Sequence, residues 1–240
     1  IGECWGISAH PNGDGTVASG AYKGMKLSEL WEKHPELFGD TGMDRFPLLV
    51  KIIDAKDDLS IQVHPDDAYA KAHENGSLGK TECWFILDCK ENATLVVGHN
   101  AKTKEELEQM IHEGRWKEFI REIPIKPGDF IQIDPGTVHA IKGGTLLLET
   151  QQSSDITYRV YDYDRLSNGK PRQLHIVQSI DVITVPAKSA DNSVVHIEKK
   201  DDAIQQLIQC PYYTVYRIDV EHRVETWQDK PFALMSVVEG

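Results

Sequence analysis

Along this 240-residue chain, apolar and polar positions alternate with a period near two over most of the length. β-Branched and apolar runs fall at 46–54, 59–63, 84–87, 93–97, 129–133, 145–149 and 156–161, each bounded by turn residues, and they read as strands. Helical periodicity is confined to short stretches. One opens at Ser28, carries Leu30 and Trp31 and stops at Pro35, and a second runs from Asp66 to Glu74 before Asn75-Gly76. The best-marked helix opens with Thr103, whose hydroxyl can cap the first turn, while Glu106 completes a capping box and Gly114 suits the far end. A further turn or two follows at 115–121. Many short strands separated by Pro-Gly and Lys-Gly-Gly turns, without strand and helix in alternation, predict a mainly β sandwich or jelly roll with a small helical appendage around 101–122. The polar stretch from Pro186 to Ser193 reads as a linker. It separates residues 1–185 from 186–240, where strands mix with a short helix expected at 201–209, a region too small for a second barrel of its own.

Composition narrows the function classes. The chain carries 26 Lys and Arg against 38 Asp and Glu, a formal charge of −12. Such a field repels phosphate backbones and anionic lipid, so nucleic acid and membrane surfaces are poor partners, and no obligate protein partner is implied. An anionic ligand would need a locally gathered set of Lys and Arg. Four cysteines without a C-x-x-C pair suggest neither a Cys-rich zinc module nor a disulfide framework. No apolar run approaches the roughly 20 residues of a membrane span, and Ile1-Gly2-Glu3-Cys4-Trp5 lacks the features of a signal peptide. The expectation is a reduced, cytoplasmic protein.

Several constellations can carry chemistry. In Ser60-Ile61-Gln62-Val63-His64, strand alternation puts Ser60, Gln62 and His64 on one face of an apolar strand. Burying three polar groups together needs a reason, and a metal is one; an edge strand with its polar face in water is the alternative. Lys80 and Glu82 share a face at the entry to another apolar strand, as ligands or as a surface ion pair. The run Asp134-Pro135-Gly136-Thr137-Val138-His139 turns the chain at Pro-Gly so that His139 opens the next strand, where it can reach a barrel mouth or sit satisfied in the core. Glu149 and Arg159 interrupt apolar strands, so both charges are drawn from bulk water and need partners, which could be each other. Lys51 follows Pro47-Leu48-Leu49-Val50 in a strand, where a solvated lysine is the simplest reading.

The Pro-Gly-x-x-His core resembles the second cupin motif, and the chain as a whole resembles the short bacterial form of the type I mannose-6-phosphate isomerases. The blocks Ile1-Gly2-Glu3, His10-Pro11-Asn12-Gly13, Phe46-Pro47-Leu48-Leu49, Gln62-Val63-His64-Pro65, Gly79-Lys80-Thr81-Glu82 and Gln152-Ser153-Ser154-Asp155 occur in the family's order. The resemblance implies a cupin jelly-roll barrel followed by the start of a second, cupin-like β domain. It implies one zinc per chain held by Gln62, His64, Glu82 and His139, and an active-site arginine at Arg159. It also implies a sugar-phosphate pocket containing Lys51, Ser60, Lys80 and Asp155. The reaction implied is the interconversion of mannose 6-phosphate and fructose 6-phosphate through a cis-enediol, with Glu149, Lys80 or a metal-bound water as candidate bases.

That ligand set is chemically coherent. Two imidazoles, a carboxylate and an amide oxygen suit zinc with room for substrate, and the absence of cysteine argues against a closed structural site. A non-haem iron oxygenase shares the two-His, one-carboxylate pattern, but Gln62 as a fourth ligand leaves it fewer open positions. A metal-containing, non-catalytic sugar-binding cupin is the other alternative, and it predicts loss of a ligand or of Arg159. All are present.

Overall fold

In the computed structural model, residues 2–189, 194–195 and 203–240 are described. The strands are β1 (Gly2–Ser8), β2 (Leu48–Ala55), β3 (Ile61–Val63), β4 (Glu82–Cys89), β5 (Thr94–His99), β6 (Ile120–Pro124), β7 (Phe130–Ile133), β8 (His139–Ala140), β9 (Thr145–Gln152), β10 (Tyr158–Tyr161), β11 (Leu166–Ser167), β12 (Lys170–Pro171), β13 (Val194–Val195), β14 (Ile204–Gln209) and β15 (Thr214–Ile218). The helices are α1 (Leu27–Lys33), α2 (Asp67–His73), α3 (Lys104–His112), α4 (Trp116–Phe119) and α5 (Ile176–Val182).

Two sheets carry the architecture, one ordered β1-β2-β9-β4-β7-β13 and the other β10-β3-β8-β5-β6. Alternation decides what each face meets. Trp84, Ile86, Ile131, Ile133 and Leu147 of the first sheet pack on Leu95, Val97 and Ile123 of the second, forming the core between them. The opposite face of the second sheet, with Ile61, Val63, Val96 and Val160, is covered by Leu107, Met110 and Ile111 of α3, Phe119 of α4 and residues of α5. On the outer face of the first sheet, Cys83 and Phe130 receive Leu207 and Tyr213 of the β14–β15 hairpin. Phe232, farther along, joins Trp31, Phe38 and Phe46 in an aromatic cluster.

Two caps are as the sequence predicts: Asp66 accepts from Tyr69 N, and Thr103 Oγ1 accepts from Glu106 N. Glu106, however, reaches back to Lys102 N instead of Thr103 N. The first helix begins at Leu27, ahead of Ser28. The helix expected at 201–209 is instead the strand β14 over its described part, antiparallel to β15. Its apolar residues have a partner strand and an apolar sheet to cover, and that long-range pairing overrides a local helical pattern. Of the expected linker, 186–189 carry no regular structure and 190–193 lie outside the described residues.

Candidate metal centre

Register brings the site together. Arg159 of β10 pairs with Gln62 of β3, and Gln62 in turn pairs with His139 of β8. Directly paired residues share a face, so these three side chains form a row across adjacent strands. In the facing sheet, Lys51, Glu149 and Trp84 form a similar row across β2, β9 and β4, and Glu82 lies two residues before Trp84 on the same face. His64 follows Gln62 by two residues just past β3. It is held there by its carbonyl, which accepts from Gly136 N (2.9 Å) in the Pro135-Gly136 turn. Gly136 has φ +79°, and a Cβ there would lie 2.8 Å from Val182 O, so the turn that delivers His139 requires glycine. Lys80 N donates to Pro65 O (3.0 Å) and Gly79 N to Asp67 Oδ1 (2.8 Å), which fixes the Lys80–Glu82 segment beside His64.

The result is a buried group of His64, Glu82 and His139 whose candidate donor atoms all lie within 4.8 Å of one another. The two Nε2 atoms are 3.2 Å apart, and Glu82 oxygens lie 3.5 Å from His64 Nε2 and 3.3 Å from His139 Nε2. His139 Nδ1 is 2.8 Å from Thr137 O, which fixes its proton on Nδ1 and leaves Nε2 as a lone pair facing the group. Burial pushes the His139 pKa down to about 4 and that of His64 well below its usual value, so both rings are neutral at pH 7. Two imidazole lone pairs and a carboxylate converging in a buried place call for a cation between them. Lys80 Nζ supplies positive charge beside them, 3.1 Å from His64 Nε2 and 2.9 Å from Glu82 Oε2. Burial raises the Glu82 pKa to about 7, with Glu149 adding to it against the pull of Lys80. Gln62 turns Nε2 toward His139 Nε2 (3.3 Å) and Oε1 toward Ser60 Oγ (3.5 Å), and a half-turn of the amide would bring Oε1 to the group. The donor set fits zinc.

Around the group, Glu149 is buried with Trp84 Nε1–H donating to it (2.9 Å) and Lys51 Nζ at 3.3 Å. Burial alone would raise its pKa, but Lys80, Lys51 and the Trp84 hydrogen bond outweigh this and hold it below the usual value. Lys51, expected as solvated or as a phosphate ligand, is 6% exposed and lies between Glu149 and Glu3, each at 3.3 Å. Arg159 does not pair with Glu149. Its Nη1 donates to Gln173 O (2.9 Å), and its buried Nε has no partner among the described residues. Asp155 is held by Asn12 Nδ2 (2.6 Å) and lies 3.6 Å from His10 Nε2, on the N-terminal His-Pro-Asn-Gly segment. Sequence reading missed the supporting roles of Glu3, Trp84 and Gln173; the indole's placement two residues from Glu82 was the available signal for Trp84.

Comparison with known proteins gives the chain a family. The model for the catalytic domain of type I phosphomannose isomerase matches residues 1–85. A mannose-6-phosphate isomerase of Bacillus subtilis (strain 168) is 54% identical across all 240 residues, covering 100% of this chain and 76% of that protein. This chain belongs to the type I phosphomannose isomerase family. The mannose-6-phosphate isomerase of Streptococcus mutans is 50% identical, over 100% of this chain and 75% of that one. The crystal structure of the Bacillus subtilis mannose 6-phosphate isomerase superposes with TM-score 0.89 at 52% identity, covering 96% of this chain and 74% of that one. A zinc-bound mannose 6-phosphate isomerase shares the fold at 16% identity, TM-score 0.66, with 87% of this chain and 72% of that one covered. The fold is the mainly β, two-sheet arrangement expected from the strand pattern, and it matches the cupin fold that the family resemblance implies.

Proposed function

We propose that this chain is a zinc-dependent isomerase interconverting mannose 6-phosphate and fructose 6-phosphate. The observation that carries the proposal is the buried convergence of His64, Glu82 and His139 at one end of the Arg159–Gln62–His139 row, in a member of this family. These three residues would hold one zinc per chain, with the Gln62 amide oxygen as a fourth ligand. Bound there, zinc supplies the Lewis acidity that makes a sugar carbonyl electrophilic and its neighbouring carbon acidic.

The chain's own groups then account for proton transfer. In the aldose-to-ketose direction a proton leaves C2 and returns to C1 through a cis-enediol. Glu149, kept ionised by Lys51, Lys80 and Trp84, is the carboxylate assigned to take and return it. Burial lowers the Lys80 pKa, but Glu82 and Glu149 overcome this and keep it an ammonium, suited to donating a hydrogen bond to an oxygen that gains charge. Arg159, whose Nε has no partner and which is tied to no carboxylate among the described residues, adds fixed positive charge along the row. Lys51 acts by holding Glu149, while Ser60 and Asp155 are assigned to the sugar. The catalytic unit is assigned to 1–185 and the rest to a C-terminal β region packed on it. All four cysteines are free, which supports a reducing, cytoplasmic setting. Among the described residues no helix is long and apolar enough to cross a membrane.

The test is conversion of mannose 6-phosphate to fructose 6-phosphate by purified protein, before and after removal of metal. Turnover should disappear on chelation and return with zinc. Undiminished turnover in protein verified to be metal-free would overturn the assignment.

A further inference from the structure

Several cations of this acidic molecule are neutralised in ion pairs. Lys51 is matched by Glu149 and Glu3, Lys80 by Glu82, Lys142 by Glu122 and Lys188 by Asp134. One place beside the site differs. At the end of β10, the buried carboxylate of Asp162 is shared by two guanidiniums: Arg165 Nη2 at 2.6 Å, and Arg172 through Nε at 2.7 Å and Nη2 at 2.5 Å. Arg159 lies near enough to feel the charges of Arg172 and Asp162, while its own side-chain hydrogen bond goes to Gln173 O. Burial first, and then the charge of Arg172, lower the Arg159 pKa, as expected for like charges held close. The Nη1 of Arg172 and the Nε of Arg159 make no hydrogen bond among the described residues.

The backbone places this cluster relative to the metal group. The segment 173–175 lies against β10: His175 N donates to Arg159 O (2.8 Å), Arg159 N to His175 Nδ1 (3.1 Å), and Arg159 Nη1 to Gln173 O. The segment that follows Arg172 therefore lies against Arg159, at the end of the His139–Gln62–Arg159 row. A guanidinium anchored along one edge to Asp162, with the other edge free, is pre-organised to bind two oxygens of a tetrahedral dianion. We infer that Arg172, seated on Asp162 beside Arg159, binds the phosphate monoester of the substrate, with the sugar's carbonyl end lying toward His64, Glu82 and His139. The inference rests on the isomerase reading for the sugar; the anion site itself stands on the arginines. The buried lysines are left to their carboxylates, and Arg159 lies between the two ends of the substrate.

The experiment uses inorganic phosphate as the probe, titrated calorimetrically into wild type and Arg172→Gln and also tested as an inhibitor of mannose 6-phosphate turnover. Arg172→Gln should weaken phosphate binding about tenfold or more and raise KM similarly, while kcat changes much less. Inhibition of the wild type should be competitive. Arg172→Lys keeps the charge, folds against Asp162 and should fall between the two, which preserves the test if the glutamine variant fails to fold. Unchanged phosphate affinity and KM, or non-competitive inhibition, would overturn the inference. A wild type that binds phosphate through Arg172 but does not turn over mannose 6-phosphate would defeat the isomerase reading and leave the anion site standing.

Discussion

Arg159 and Glu149 both interrupt apolar strands, and pairing with each other was the simplest way to bury two charges. They do not meet: Glu149 is satisfied by Lys51 and Trp84, and Arg159 by a single backbone carbonyl. Removing the Arg159 guanidinium therefore strands no buried carboxylate. Arg159→Lys should lower kcat by roughly 100-fold with zinc content and Tm unchanged, because a lysine keeps the charge but loses the planar fork. A fall in Tm in step with activity would show a structural role instead. At the metal group, His139→Ala should abolish stoichiometric zinc by elemental analysis, while Gln62→Ala, losing the weakest donor, should retain much of it. Full zinc in His139→Ala would refute the ligand assignment. Strand alternation and a Pro-Gly turn made Gln62, His64, Glu82 and His139 candidates with bland alternatives, and only the family resemblance implied them as one ligand set; the structure groups His64, Glu82 and His139. The fate of Lys51 was not legible, since it depends on Glu3 and Glu149, which lie on the two strands flanking its own.

Among the elements, those with local signals were read well and those fixed by long-range contact were not. The strands around the site and the caps of α2 and α3 follow from alternation and from Asp66 and Thr103. β1 was missed because it is a largely exposed edge strand, β6 because it follows directly on a helical turn, and β14 was taken for a helix until β15 paired with it. The β10 end offers a pH test. Burial pushes the Asp162 pKa up, but its hydrogen bonds from Arg172 and Arg165 outweigh this and hold it below the usual value. The stability it contributes is thus complete above the unfolded-state value near 4 and is lost as pH falls through the folded value. Urea unfolding of Asp162→Asn should show lower stability at neutral pH and a shallower decline below about pH 4. An acid limb identical to wild type would contradict the staple.

Across the whole molecule, a charge of −12 surrounds a site where two ammoniums offset two buried carboxylates and two arginines share Asp162 at the end of one strand. The balance of Lys80 against Glu82 has a consequence for stability. Metal-free protein should stay folded, since Glu82 retains a counter-ion, yet melt at a lower temperature than the zinc-loaded form, because a ligand bound only by the folded state adds to its stability. Thermal melts with and without chelator measure this, and identical Tm values would deny tight binding to the folded chain. The central claim is tested most directly by a crystal structure recorded at the zinc absorption edge. One anomalous peak per chain is predicted between His64 Nε2, His139 Nε2 and the Glu82 carboxylate, with the Gln62 amide oxygen turned toward it. No peak from zinc-loaded crystals, or one centred on other residues, would contradict the account.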